Sequence, residues 1–259
     1  MISVTILTKD SARHLPKVLN AVRSFDDVVV LDSGSSDDTL TIARGFPNAR
    51  VYSTQFKGFG PLHNEVAGLA RHDWILSLDS DEVITPALCQ ELAALPLDSG
   101  CVYSLLMHNF YNGKWIRACG WHPDKHPRLY NKKRTRFTDA QVHEAIIMDG
   151  LKEVTLNAPV EHYSYTCVGD FIAKTQRYSD LFAQQRQGRT RSSVPKAVLH
   201  GLGAFLRSYV VKRGFTAGRE GFVISVTAGV CGFYKYMKLL EANERGPSDV
   251  AHPDIPSGR

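Results

Sequence analysis

The sequence predicts an α/β protein: a mostly parallel central sheet flanked by helices, followed by a helical C-terminal extension. Three observations predict it. Over residues 2–78, β-branched apolar runs alternate with amphipathic segments of helical period, a pattern that calls for parallel strands joined by right-handed crossovers. Acidic residues end two of these runs, where ligands bind in open parallel sheets. Beyond residue 197 the strand-like runs give way to apolar stretches interspersed with Arg and Lys.

Taken in order, residues 2–8 form a buried strand run, and the next segment sets Leu15, Val18, Leu19 and Val22 on one helical face. Residues 28–31 make a second β-branched run ending in Asp32-Ser33-Gly34-Ser35, and Asp37 and Asp38 are candidate caps for a helix over 39–44. A short strand over 50–53, a helix over 61–70 and a strand over 74–78 continue the alternation, the last ending at Asp79-Ser80-Asp81-Glu82. An apolar strand over 102–109 precedes a basic and aromatic stretch with Tyr111, Trp115, Arg117, Trp121, Lys125 and Arg128, where the regular pattern weakens. Residues 188–195, rich in Arg and Ser, are the candidate linker to the helical region.

A chain of 259 residues with 43% apolar side chains, 12 Phe, 10 Tyr and 3 Trp can bury a sizeable core, which excludes a disordered chain and a disulfide-stapled miniprotein. The net charge of +5 suits an anionic ligand or a membrane surface. Five cysteines without a C-x-x-C pair signal neither a disulfide framework nor a zinc ribbon and favour a reducing cytoplasm. MISVTILTKD lacks the charged and long apolar regions of a signal peptide, so secretion is not expected.

Asp32 has two readings: a carboxylate that accepts hydrogen bonds from a base or ribose, or one that caps the turn after its strand. Asp79 and Asp81 follow the strand WILSL, and alternation along an extended chain points their side chains to opposite sides, one able to meet a metal and the other a sugar. Hard cations such as Mg²⁺ or Mn²⁺ take oxygen ligands and share their shell with substrate phosphates.

Taken together, VTILTKD, VVVLDSGSSDDT and HDWILSLDSDE stand in the order and approximate spacing of the inverting family 2 glycosyltransferases, whose GT-A fold is Rossmann-like. FKGFGPLHNEVAGLARHDWILSLDSDE, GWHPDKHPRLY, VHEAI and HYSY narrow the likeness, and the chain resembles bacterial lipopolysaccharide-core glycosyltransferases. The resemblance implies a UDP-sugar donor, usually UDP-glucose, a lipid-borne inner-core acceptor, often a heptose, and a divalent cation. It implies a catalytic domain over 1–165, with nucleotide-sugar binding in 1–100 and the acceptor part in 101–165, and a mainly helical extension over 166–259. By the same resemblance Thr8, Asp10 and Asp32 contact the uridine, Asn64 and Arg71 line the donor side, Asp79 binds the ribose, and Asp81 ligates the metal with His162 as a further ligand. Where related sequences carry Asn-Glu after Thr-Lys, this chain has Asp10-Ser11, so one donor-side carboxylate is absent or shifted by a residue.

Inverting transfer needs a carboxylate to take the proton of the acceptor hydroxyl. Glu144 in VHEAI and Asp124 in WHPD compete for that role, Glu144 being favoured. Arg128 can pair with a phosphate or with the acidic cluster, and Trp121 can stack on a sugar or fill a core. The run Lys132-Lys133-Arg134 reads equally as a functional patch or a solvated loop.

The longest uncharged stretch of the C-terminal region, 221–234, has 14 residues and falls short of the roughly 20 that span a bilayer. Its apolar and basic side chains suit a helix lying in an anionic membrane surface, which places the protein at the inner face of the cytoplasmic membrane; a packed helix pair is the alternative. A sugar-nucleotide pyrophosphorylase would need a Gly-rich phosphate loop near the first strand, which VTILTKDSARHL lacks. No nucleic-acid motif is present, so nucleic acid is not an expected partner.

Overall fold

The computed structural model describes residues 1–141 and 144–245. Val142 and His143 of the VHEAI motif, and the end of the extension assigned to 166–259, lie outside the described residues. Strands β1 (Ile2–Thr8), β2 (Val28–Asp32), β3 (Ala49–Ser53) and β4 (Trp74–Asp79) alternate with helices α1 (Leu15–Ala21), α2 (Thr39–Arg44) and α3 (Phe59–Leu69). Then follow β5 (Glu82–Ile84), α4 (Pro86–Ala94), β6 (Cys101–Tyr111), β7 (Lys114–Trp115), β8 (Lys125–Asn131) and β9 (Lys152–Tyr165), and helices α5 (Val168–Arg186), α6 (Val194–Leu206) and α7 (Gly218–Arg245).

The strands lie in the order β3-β2-β1-β4-β8-β6-β9-β5, with β7 beside β6. β1 to β4 are parallel, as the alternation requires. The other half of the sheet is antiparallel: β8 pairs with β4 and β6, and β5 with β9. Among the described residues no helix lies between β6 and β9, and strands without a helical crossover pair antiparallel. The parallel half explains its own sequence. Val28 and Val30 face a core shared with Leu15, Val18 and Leu19 of α1, while Val29 and Leu31 face a second core with Leu62 and Val66 of α3. Strands buried on both faces read as unbroken apolar runs.

The chain forms two compact units, one of Met1–Phe110 and His122–Ser164, the other of Tyr111–Trp121 and the chain from Tyr165. In the second unit α6 and α7 run antiparallel. A Cβ on Gly201 would lie 3.0 Å from the Gly229 carbonyl, so glycine sets their close approach. Trp121 stacks on Tyr165 with ring centroids 5.2 Å apart, against the core of Tyr111, Ile116, Phe171 and Ile224; it is a core aromatic. The expected linker over 188–195 is corrected. It joins α5 to α6 inside the second unit, held by Gly188 N–H to Asn243 Oδ1 (2.9 Å) and Ser192 Oγ to the Tyr236 carbonyl (2.6 Å), and its Arg and Ser content reflects a helix–helix turn.

Candidate active site

The parallel register sets Thr8 opposite Asp32 and Leu7 opposite Asp79, so the carboxyl ends of β1, β2 and β4 form one rim. The loops beyond them are tied together. Asp10, in the left-handed region at φ 48°, accepts the Ser36 N–H at 2.8 Å, and its own N–H donates to Ser35 Oγ at 2.8 Å. Ser11 Oγ lies 2.8 Å from Ser80 Oγ, which links the first loop to the Asp79-Ser80-Asp81 turn. Asp37, not Asp38, accepts the first N–H of α2, that of Thr39 at 3.0 Å.

Asp32 is 1% exposed. Its carboxylate accepts the Gly34 and Ser35 N–H groups at 3.0 Å, the Thr8 hydroxyl at 3.2 Å and the Ser35 hydroxyl. Burial raises its pKa and these hydrogen bonds outweigh that, holding it below the usual carboxylate range. The turn-capping alternative is the one the geometry displays: Asp32 and Thr8 build the rim from beneath.

Next to this rim lies a charged cluster. Arg128 on β8, its side chain 13% exposed, bridges Asp79 Oδ2 at 2.7 Å and Glu82 Oε1 at 2.5 Å, and its buried Nε has no hydrogen-bond partner among the described residues. Burial alone would raise the Asp79 carboxyl; the Arg128 charge, with His63 and His162, brings it down to about 2. Glu82, 1% exposed, is raised by burial. The Asp79 side chain remains 43% exposed.

The pairing of β5 with β9 sets Glu82 opposite His162 and brings His162 Nε2 to 3.5 Å from Asp81 Oδ1. Asn109 Nδ2 donates to Asp124 Oδ2 at 2.8 Å, so Asn109 Oδ1 faces His162 Nδ1 at 2.7 Å and that ring nitrogen carries the proton. Ser164 Oγ also reaches Nε2, at 2.5 Å. Burial lowers the pKa of His162, but the hydrogen bond with Asp81 and the charges of Glu82, Asp81 and Asp79 raise it above its ordinary value. His126 Nε2 meets Asp124 Oδ1 at 2.9 Å; this contact above all, with Asn109, holds Asp124 below the usual range against burial.

The remaining residues separate. Glu144, its side chain 23% exposed, stands 3.9 Å from His63 Nε2, and His63 Nδ1 lies 3.1 Å from Ser77 Oγ on β4. Burial pushes His63 down to about 4, opposed by Asp79 and reinforced by Arg128, so the imidazole is neutral at pH 7. The Asn64 amide makes two hydrogen bonds with the Phe137 backbone, at 2.9 and 3.0 Å, and anchors that segment to α3. Arg71 does not join the cluster. Its N–H donates to Asp27 Oδ2 at 2.7 Å ahead of β2, at the amino-terminal rim, and the six residues of β4 put about 16 Å between the two rims. Lys132 donates to the Ala67 and Ala70 carbonyls at the end of α3, and Lys133 pairs with Asp73.

Among the described residues no three His, Cys, Asp or Glu side chains gather as a metal cage. Asp81 with His162 nevertheless fits a two-point anchor for a cation such as Mg²⁺ or Mn²⁺, which completes its shell with phosphate oxygens and water. The Asn109 bond at Nδ1 fixes the ring so that Nε2, which Ser164 Oγ also reaches, faces Asp81; a partner on the other ring nitrogen is what orients a ligating imidazole. Asn109, Glu82, His63 and the Ser11–Ser80 pair were not singled out in the sequence. Glu82 alone had a signal there, the third acid of DSDE.

A family model described as Glycosyl transferase family 2 matches residues 3–152. The chain is 29% identical over 258 residues to an uncharacterized glycosyltransferase of Rickettsia bellii, covering 93% of this chain and 86% of the relative. It is 22% identical over 251 residues to the lipopolysaccharide core biosynthesis glycosyltransferase LpsC of Rhizobium meliloti, covering 93% and 92%. Among solved structures it is similar to residues 1–349 of S. aureus TarS, at 17% identity and a TM-score of 0.44 over 95% of this chain and 91% of that one.

Proposed function

That the chain belongs to glycosyl transferase family 2 makes it a glycosyltransferase of GT-A fold, and from this premise we propose that it transfers a sugar from a UDP-linked donor, with inversion, to a lipopolysaccharide inner-core acceptor. UDP-glucose and a heptose are the donor and acceptor the sequence resemblance implies, and the likeness to LpsC supports the class of acceptor. The lipid-borne acceptor places the reaction at the inner face of the cytoplasmic membrane.

The observation that carries this reading is the convergence of Asp79, Asp81 and His162 beside the rim formed by β1 and β2. Thr8, Asp10 and Asp32 hold the loops that receive the nucleoside. Asp79, held ionised by Arg128 and still open to solvent, accepts from the ribose hydroxyls. Asp81 and His162 would hold a divalent cation, whose chemistry is to neutralise charge on the departing diphosphate. Glu144 takes the proton of the acceptor hydroxyl. Asp124 is the weaker base, because His126 and Asn109 already engage both its oxygens and a carboxylate so held resists protonation; it positions His162 through Asn109.

The test is UDP release from a panel of UDP-sugars with Mn²⁺ or Mg²⁺, with and without truncated core acceptors. Release that requires both one donor and the core acceptor supports the reading; release that occurs only with a different envelope glycan replaces the acceptor.

A further inference from the structure

Residues 207–211 make a π turn at the end of α6, in which the Lys212 N–H donates to the Arg207 carbonyl at 2.8 Å. On an α-helix, side chains five positions apart stand about 140° round the axis from each other. The wider i→i+5 turn brings residue 212 back over residue 207, and both side chains line one cavity of about 640 Å³ that lies wholly within the second unit. The segment ahead of Trp121 holds Lys212 there. Cys119 and Gly120 are both in the left-handed region, at φ 60° and 80°. The Cys119 N–H donates to the Lys212 carbonyl at 2.9 Å, and a Cβ on Gly120 would touch Lys212 Cγ at 3.7 Å.

Arg207, Lys212 and His200 give the cavity its basic groups, and Trp121, Leu199 and Ile224 give it apolar wall. His200 is held by stacking on Tyr236, with ring centroids 3.9 Å apart, and Trp121 by stacking on Tyr165. Among the described residues no Asp or Glu lines the cavity, and the side chains of Arg207 and Lys212 have no acidic or hydrogen-bonding partner.

Two cations without a counter-charge match a dianion. A phosphomonoester carries about −1.5 to −2 at pH 7 and offers three acceptor oxygens, enough for the planar Arg fork and the Lys ammonium together. A carboxylate, with one charge and two oxygens, is satisfied by the fork alone. A bare phosphate would leave most of the cavity empty, whereas cavities of roughly 300–1,000 Å³ with mainly apolar walls and a few polar groups take organic molecules. We propose that this cavity binds an organic phosphomonoester, with its phosphate between Arg207 and Lys212 and its body against Trp121, Leu199 and Ile224. The inference goes beyond the proposed sugar transfer and does not rest on it, because every residue it uses belongs to the second unit.

Calorimetric titration of the full chain, with EDTA present, by hexyl phosphate, glucose 1-phosphate, inorganic phosphate and hexanoate tests it. The tighter of the two esters should bind at least about tenfold better than inorganic phosphate or hexanoate, through burial of its body. Hexyl phosphate in the lead identifies a lipid-borne phosphate, and glucose 1-phosphate a soluble sugar phosphate. Arg207→Gln with Lys212→Gln should weaken the tighter ester about 100-fold, roughly tenfold for each charge-assisted contact. Gly203 lines the cavity from α6, and a Cβ there meets open space. Gly203→Phe therefore puts a ring in the cavity without disturbing the packing, and should weaken the ester about tenfold while leaving inorganic phosphate unchanged. Melting temperatures show that the variants remain folded. Absence of binding by both esters at about 1 mM overturns the proposal. So does inorganic phosphate or hexanoate binding as tightly as the esters, which would mean an adventitious ion only, or unchanged ester affinity in either folded variant.

Discussion

Asp81 and His162, eighty-one positions apart in sequence, face one another at 3.5 Å across the pairing of β5 with β9. The imidazole is fixed from behind by Asn109, which Asp124 fixes in turn. If this pair anchors the cation, His162→Asn should weaken Mn²⁺ binding in the presence of UDP, and Asn109→Ala, which only frees the ring, should weaken it about 10-fold. Calorimetric titration of Mn²⁺ into the UDP complex measures both, and unchanged affinity in His162→Asn would remove it from the metal site.

Glu144 and Asp124 separate by which constant changes. Glu144→Gln keeps its shape but cannot take a proton, so kcat should fall about 10²- to 10⁴-fold with UDP binding retained. Asp124→Asn should instead raise the Mn²⁺ concentration for half-maximal activity while kcat at saturating metal stays near the wild-type value. Reversed profiles would make Asp124 the base.

Asp32→Ala should destabilise the protein by at least about 2 kcal/mol, because buried donors lose their acceptor. Weaker UDP binding should accompany the loss of stability, measured by denaturant unfolding and calorimetry. Loss of UDP binding with stability intact would mean that the carboxylate touches the nucleoside directly.

At the opposite rim, Asp27 should contribute to acid stability. Burial raises its pKa, but the Ser3 hydroxyl, the Arg71 N–H and the Arg50 guanidinium bring it below the ordinary value. With the folded pKa below the unfolded value of about 3.9, the ionised carboxylate stabilises the fold above that pH, and the contribution is lost as pH falls through the folded pKa. Asp27→Asn should therefore be less stable at pH 7, by about 2 kcal/mol for the loss of charge-assisted hydrogen bonds to a part-exposed partner, and lose less on acidification to pH 3. Parallel acid profiles for the two proteins would contradict the assignment.

The parallel half of the sheet was legible because its strands are buried on both faces and their β-branched runs are uninterrupted; β1 spans Ile2–Thr8 as its sequence indicates. The antiparallel half was not. Strand β8 reads KHPRLYN, whose Lys, His and Arg obscure the alternation, and its partners lie far off in sequence. The Gly34 and Ser35 N–H groups that close on Asp32 were not legible, because they depend on how the turn after β2 folds back. The place of Arg71 was legible in principle, since a residue between a crossover helix and its next strand stands at the amino-terminal rim. Asn109 was hidden, because its role depends on a histidine 53 residues away.

The central claim is tested most directly by UDP release from UDP-glucose in the presence of Mn²⁺ and a heptose-terminated truncated core, compared between the wild-type chain and Asp81→Asn. The account predicts acceptor-dependent release by the wild type that chelation abolishes, and loss of that metal-stimulated release in Asp81→Asn with the fold retained. Wild-type rates and metal dependence in Asp81→Asn would contradict it.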